Sequence, residues 1–337
     1  MLNEINKNDI DGVSFYLNKA GANVNGYFDK TTPLIKAVEN NYFNIVKFLL
    51  EKGAYPYYKS LVSFEEPIDI ARRKGNSNIV SLLKQYHERF YILYNGHEMV
   101  KVKGLKWGTY FYISRYPITV KQYMIFCERT GRAMPTPPSW GWLEDHPIFH
   151  VNWYDCKEYC KWCKTRLPTE IEWFYAAGGQ GYASPFDYSG SNNIDEIAWY
   201  DRNSGGKTHP VGKKNPNESG IFDMSGNVFE WCDDWFMPGH FNEIKKNYPN
   251  GPQEGEYKVI KGGCYNYGQT YCWVKWRNGL LPTCNKYTPP PILSTKSYGD
   301  HDVGYEEYCF GFRVVVDDIN NNDDIGENCD NNDYMLD

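Results

Sequence analysis

Gly220-Ile221-Phe222-Asp223-Met224-Ser225-Gly226-Asn227-Val228-Phe229-Glu230-Trp231-Cys232-Asp233-Asp234-Trp235 is the stretch from which the chain is best read. Asp223, Asn227 and Glu230 place three oxygen-bearing side chains close together, and Gly226 gives the backbone freedom for a tight turn. Phe222, Phe229, Trp231 and Trp235 are interleaved with them. Two readings follow. A hard cation such as calcium takes about six to eight oxygens, backbone carbonyls among them, and a short acidic turn pinned by aromatics supplies such a set. Alternatively, the Asp and Asn side chains cap their own backbone.

The wider composition sets the frame. The chain has 337 residues, with 29 Tyr, 17 Phe, 11 Trp and 30 Gly. That length implies about two domains, each able to bury a core without disulfide help. The aromatic and glycine content points to irregular backbone held by large flat side chains. A net charge of −6 gives no electrostatic footprint for nucleic acid. The first residues, Met1-Leu2-Asn3-Glu4-Ile5-Asn6-Lys7, carry no basic and apolar leader pattern, and no run approaches the ~18 apolar residues of a membrane span. The expectation is a cytoplasmic chain with no membrane contact, its ten cysteines being thiols rather than a disulfide framework.

Residues 1–90 repeat. Val13, Val46 and Val80 recur at a period near 33, and Gly21-Ala22 returns as Gly53-Ala54. The unit Thr31-Thr32-Pro33-Leu34-Ile35-Lys36-Ala37 through Phe48-Leu49-Leu50-Glu51-Lys52-Gly53-Ala54 resembles an ankyrin repeat, and two full repeats plus a partial one are expected. From residue 91 strand-like pieces appear at Tyr91 to Tyr94, Met99 to Val102 and Gly108 to Ile113. A helix is predicted from Lys121 to Thr130, stopped by Gly131. A second is predicted from Asp155, with Glu158 closing a capping box, and a third from Thr169 with Glu172. Cys156, Cys160 and Cys163 fall on one face of the second helix. Structural zinc wants four ligands, so packing is the better reading of these three. Lys258 to Gly263 reads as a strand entering a double glycine, Cys264 to Gly279 as an aromatic loop, and Gly311 to Val316 as a closing strand. Residues 317–337 are rich in Asn and Asp without Lys or Arg, and read as a disordered acidic tail.

Several motifs in order make residues 107–316 resemble the sulfatase-modifying-factor family, to which the formylglycine-generating enzymes belong. They are Tyr116-Pro117-Ile118-Thr119-Val120-Lys121-Gln122-Tyr123, His146-Pro147 with Val151-Asn152-Trp153, Arg166-Leu167-Pro168-Thr169-Glu170-Ile171-Glu172-Trp173, the opening stretch, Lys261-Gly262-Gly263 and Gly311-Phe312-Arg313. The fold class expected is α+β: a short ankyrin α-solenoid over 1–90, then over 91–316 a mixed domain of the C-type lectin variant kind, rich in irregular structure. The resemblance implies a structural calcium at the opening stretch, held by the Asp223 and Glu230 side chains and the Gly226 and Val228 carbonyls.

The catalytic chemistry carries over only in part. The family's oxidases hold copper between two cysteines in the loop after the double glycine; soft thiolates suit Cu(I). At that register this chain has Tyr267 and Cys272. The reading favoured is therefore a non-catalytic binding or adaptor protein. Its protein partner would dock on the ankyrin repeats and on a loop surface of Tyr267, Tyr271, Trp273, Trp276 and Arg277. The alternative is a copper-dependent oxidase that converts a protein cysteine to formylglycine with Cys272 and Cys264 as a substitute pair, or another oxygen-dependent chemistry on the same fold.

Overall fold

Thr32 opens the best-formed repeat: its side chain accepts from Ile35 N at 3.3 Å, and Pro33 follows where a helix has no amide to lose. The computed structural model describes residues 1–18, 22–87, 90–93, 96–104, 109–178, 185–238, 251–285 and 309–317. It divides into two units, Met1–Tyr91 and Ile92–Asp337.

The first unit is three helix pairs: α1 (Leu2–Asn6) with α2 (Ile10–Asn18), α3 (Pro33–Glu39) with α4 (Phe43–Glu51), and α5 (Pro67–Arg73) with α6 (Ser77–His87). Apolar residues at helical spacing close one core, in which Leu34, Ile35, Ile45, Val46, Leu49, Ile79 and Leu83 are buried. Gly53, at φ 87°, ends α4 in the left-handed region that glycine enters without strain. The turns between pairs leave Phe28, Leu61, Val62 and Phe64 exposed, Val62 by 71% and Phe64 by 68%.

Among the described residues the second unit shows two four-stranded sheets and four α-helices. Strands β1 (Phe90–Ile92), β2 (Glu98–Lys103), β3 (Tyr110–Ser114) and β8 (Val315–Asp317) form one sheet in the order β1-β2-β3-β8. Strands β4 (Phe229–Trp235), β5 (Lys258–Lys261), β6 (Asn278–Leu280) and β7 (Phe310–Gly311) form the other in the order β6-β5-β4-β7. Helix α7 (Val120–Thr130) starts on a capping box of Thr119 and Gln122 and stops at Gly131, φ 69°. Helix α9 (Glu170–Ala177) starts on the expected box of Thr169 and Glu172, and α10 (Ile194–Ile197) is a single turn. The rest of the unit is largely turns and extended backbone, so the structure is the mixed α+β arrangement expected. Among the described residues no helix is long and apolar enough to cross a membrane.

Several element readings are corrected. Helix α8 runs Trp153–Trp162 rather than from Asp155: Asn152 is its cap, accepting from Asp155 N at 2.9 Å while Asp155 Oδ2 accepts from Asn152 N at 3.1 Å. An Asn-x-x-Asp box does the work that Asp-x-x-Glu was expected to do. Cys156 and Cys160 pack inward, with Cys163 at the helix end. Burial drives all three thiols upward in pKa, which suits packing. The closing strand is two short strands, β7 and β8, because Phe312, Arg313 and Val314 turn inward between them. Asp317 is the last residue of β8 and meets Arg166 at 2.6 Å; the remainder of the predicted acidic tail lies outside the described residues.

Candidate functional site

The opening stretch is half turn and half strand. Asp223, Gly226 and Asn227 all have positive φ, at 55°, 82° and 66°. A Cβ at Gly226 would stand 2.3 Å from the Trp199 carbonyl oxygen, so only glycine fits there. Gly226 N donates to Gly262 O at 2.7 Å and Tyr265 N to Asn227 O at 3.0 Å, which lashes this turn to the double glycine. The Asn227 amide accepts from His209 N and donates to His209 O, both at 3.0 Å. Beyond Val228 the chain becomes β4, an inner strand of its sheet, antiparallel to β5 and parallel to β7.

Glu230 sits on β4 with its side chain fully buried. Arg313 Nε and Nη2 donate to its two oxygens at 2.6 and 2.7 Å, and the Trp173 indole N–H donates at 2.7 Å. Arg313 spends its other donors on the carbonyls of Ser114 and Phe222, both at 2.9 Å. Asp223 accepts from Gly212 N through Oδ2 at 2.7 Å, while Oδ1 is buried without a hydrogen-bond partner. Burial pushes the Asp223 carboxyl up to about 6.

Within the calcium set expected at Asp223, Gly226, Val228 and Glu230, Asp223 Oδ1 is left without a hydrogen-bond partner while the Glu230 carboxylate is already paired with Arg313. Both lone pairs of Glu230 Oε2 are committed, and a divalent ion would stand beside a buried guanidinium. The Gly226 carbonyl accepts from Val228 N at 2.9 Å, which uses one of its two lone pairs.

Lys261 ends β5, and its ammonium, fully buried, donates to the carbonyls of Val274 (2.9 Å) and Trp276. Desolvation lowers it to about 8. Gly262 and Gly263 follow at φ 94° and 74°. The Cys272 thiol lies directly beneath: a Cβ on Gly263 would stand 2.7 Å from its sulfur. Cys272 ends a 3-10 turn (Gln269–Cys272) and is wholly buried among Tyr188, Ile194, Ile197, Ala198 and Tyr200. Desolvation raises its pKa strongly, which favours the neutral thiol.

In the alternative reading Cys264 would join Cys272 in holding copper, but its sulfur is engaged elsewhere. Cys264 is disulfide-bonded to Cys309, 45 residues away. This also corrects the all-thiol expectation. The other described cysteines, 127, 156, 160, 163, 232, 272 and 284, are free and buried. Nothing in the spacing pointed to Cys309; its only signal was a thiol just ahead of Gly311-Phe312-Arg313.

The loop aromatics divide into two groups. Tyr267, Tyr271 and Trp276, half-buried, surround the Phe229 ring at 5.1, 6.5 and 5.3 Å, and Phe310 backs it at 5.9 Å. Gln269, Thr270 and Lys275 form an exposed polar rim. Trp273 packs instead against the Cys272 cluster, and Tyr265 is buried against Trp140 at 5.6 Å. Arg277 is drawn inward by Glu170, with Nε to Oε1 at 2.6 Å and Nη2 to Oε2 at 2.8 Å. The patch is therefore Tyr267, Tyr271 and Trp276 on a Phe229 floor, with Trp273 and Arg277 as support.

This geometry, a glycine-rich turn braced to a double glycine beneath an aromatic loop, defines a class of domain, and comparison with known proteins identifies it. Residues 102–318 match the sulfatase-modifying factor enzyme 1-like domain, and residues 3–92 match ankyrin repeats in three copies. The chain belongs to the sulfatase-modifying-factor family, with ankyrin repeats ahead of the family domain. It is 34% identical over 209 residues to the chaperone protein LppX of Paenibacillus barcinonensis, covering 45% of this chain and 68% of that one. It is 36% identical over 140 residues to the formylglycine-generating enzyme of Streptomyces coelicolor, covering 38% of this chain and 45% of the enzyme. The chain thus spans less than half of that enzyme. PvdO from Pseudomonas aeruginosa shares the fold, with a TM-score of 0.53 at 20% identity over 68% of this chain and 98% of PvdO.

Proposed function

We propose that this chain is a non-catalytic binding protein, an ankyrin-tethered family domain whose aromatic loop has become a contact surface. One observation carries the reading: the loop offers no pair of accessible thiols. Tyr267 occupies the position of the first family cysteine and packs on Phe229, Cys264 is bonded to Cys309, and Cys272 is sealed in an apolar cluster. A copper site of two thiolates needs deprotonated sulfur within reach of substrate. The partner is a protein. On the ankyrin unit it meets the exposed Phe28, Leu61, Val62 and Phe64; on the family domain it meets Tyr267, Tyr271 and Trp276, residue types that dominate binding hot spots. The likeness to a protein named as a chaperone supports use of this domain for contacts.

The family binds metal ions in general. In this chain the opening stretch is stapled by Arg313, with calcium as the alternative staple. The deciding experiment supplies Cu(I) to the reduced protein and offers a Cys-x-Pro-x-Arg peptide under air. The expected result is an unmodified peptide. A mass loss of about 18 Da, the thiol-to-aldehyde difference, that disappears in Cys272→Ser would overturn the reading in favour of the oxidase.

A further inference from the structure

We propose that the Cys264–Cys309 bond is a reversible latch on the aromatic patch, closed by a small-molecule disulfide and opened by a small-molecule thiol. Its regulatory consequence rests on the binding function above; the latch itself does not. In closing, two Cys–SH groups react with one RSSR. The protein S–S bond forms, the S–S bond of RSSR breaks, and the two electrons and two protons leave as two RSH.

Position is the first argument. Cys264 opens the loop straight after the double glycine, and Cys309 stands immediately before β7. Each cysteine holds a patch residue by its backbone: Cys264 O accepts from Tyr267 N at 3.2 Å, and Cys309 O accepts from Phe229 N at 2.9 Å. The bond therefore fixes Tyr267 relative to the Phe229 floor on which it lies.

Satisfaction of the opened state is the second argument. A buried S–H is a weak donor that gains from an acceptor close by. Asn266 Oδ1 lies 3.0 Å from Cys264 Sγ and 3.2 Å from Cys309 Sγ, so an acceptor stands beside both sulfurs as they separate on reduction. The reduced pair thereby has a polar partner already beside it.

The third argument concerns what else holds the loop. Its ends are tied independently: Ser204 Oγ donates to Tyr265 O at 2.7 Å, Ser225 Oγ to Cys272 O at 2.8 Å, and Lys261 to the Val274 and Trp276 carbonyls. Between them, Asn266 to Tyr271 has Asp201 N on Tyr267 O at 3.2 Å and short turn bonds of its own. Reduction should therefore loosen residues 266–271 and leave 273–277 in place.

The test is hydrogen exchange on the full chain, held once in oxidised glutathione and once in dithiothreitol, with alkylation and peptide mapping of the cysteines. Oxidised protein should yield the Cys264–Cys309 cross-linked peptide. On reduction, exchange in 266–271 should rise roughly a hundredfold, the scale on which a cross-link suppresses opening, while 273–277 stays unchanged. Cys309→Ser should behave as permanently reduced in either buffer. If that variant does not fold, the wild-type pair of buffers still decides. Failure to form the cross-link in oxidised glutathione, or identical exchange in both states, overturns the latch. No partner is needed for this measurement, so an unchanged pattern sinks the latch alone. A changed pattern alongside partner binding indifferent to Tyr267→Ala sinks the binding function alone.

Discussion

Glu230→Gln keeps the shape of a buried side chain and deletes its charge. In the native structure that carboxylate takes two bonds from Arg313 and one from Trp173, and neither Arg313 nor Glu230 is exposed. The variant leaves a guanidinium buried without its counter-ion. Breaking a buried pair from one side costs about 3–5 kcal/mol. A domain of this size loses about 2–4 °C of melting temperature per kcal/mol, so the expected fall is roughly 6–20 °C. Differential scanning calorimetry reads it directly, and a chelator arm separates the two staples. With Arg313 as the counter-charge, excess EDTA leaves the wild-type transition in place, and the fall in Glu230→Gln is the same with or without it. With calcium at Asp223, Gly226, Val228 and Glu230, EDTA lowers the wild-type transition and does nothing further to the variant. Glu230→Gln combined with Arg313→Met should recover part of the loss, because no orphaned charge remains. A single-variant loss under about 1 kcal/mol, well below the buried-pair range, would refute the ion-pair account.

Asp223→Asn tests the neighbouring carboxylate. Burial raises its folded pKa to about 6 from an unfolded value near 3.8, so the native state holds the proton more tightly. Stability from this group is fully present below pH ~4 and is lost as pH rises through ~6, by about 3 kcal/mol in all; Asp223→Asn should flatten that slope in pH-dependent denaturation curves and stabilise the protein at pH 8. Gly226→Ala forces a Cβ to 2.3 Å from the Trp199 carbonyl at φ 82°, and should cost more than the ~1 kcal/mol typical of glycine sites, read by urea midpoint. Leu49→Ala, in the fully buried face of α4, should cost about 2–5 kcal/mol in the ankyrin transition, followed by circular dichroism.

Much of this fold was legible because its signals are local. Thr32-Pro33 and Thr169-x-x-Glu172 each start a helix for reasons contained in a few residues, and the apolar period of residues 33–50 leaves one face to bury. Where a local rule had a competitor, the reading slipped: Asn152 and Asp155 form the cap of α8 because the side-chain oxygen of each accepts from the other's backbone N–H, and the Asp155–Glu158 spacing looked equally suitable. The site was less legible because its bonds are long-range. Glu230 and Arg313 lie 83 residues apart and Cys264 and Cys309 lie 45 apart, and no periodicity encodes either pair.

The same non-local contacts decide what the motifs mean. Cys272 occupies a family cysteine position, but Gly263 above it and Ile194, Ile197 and Tyr200 around it make it a core residue. Glu230 occupies a ligand position, but Arg313 reaches it first. A motif fixes which residue types stand where; the charge and burial supplied by distant elements determine whether a carboxylate is a metal ligand or a counter-ion, and whether a thiol is a nucleophile or packing. In this chain Glu230 is paired with Arg313, and Cys272 is buried among apolar residues. What remains for chemistry on this face is the bonded pair Cys264–Cys309, whose carbonyls hold the amides of the two aromatic residues, Tyr267 and Phe229, at the centre of the patch.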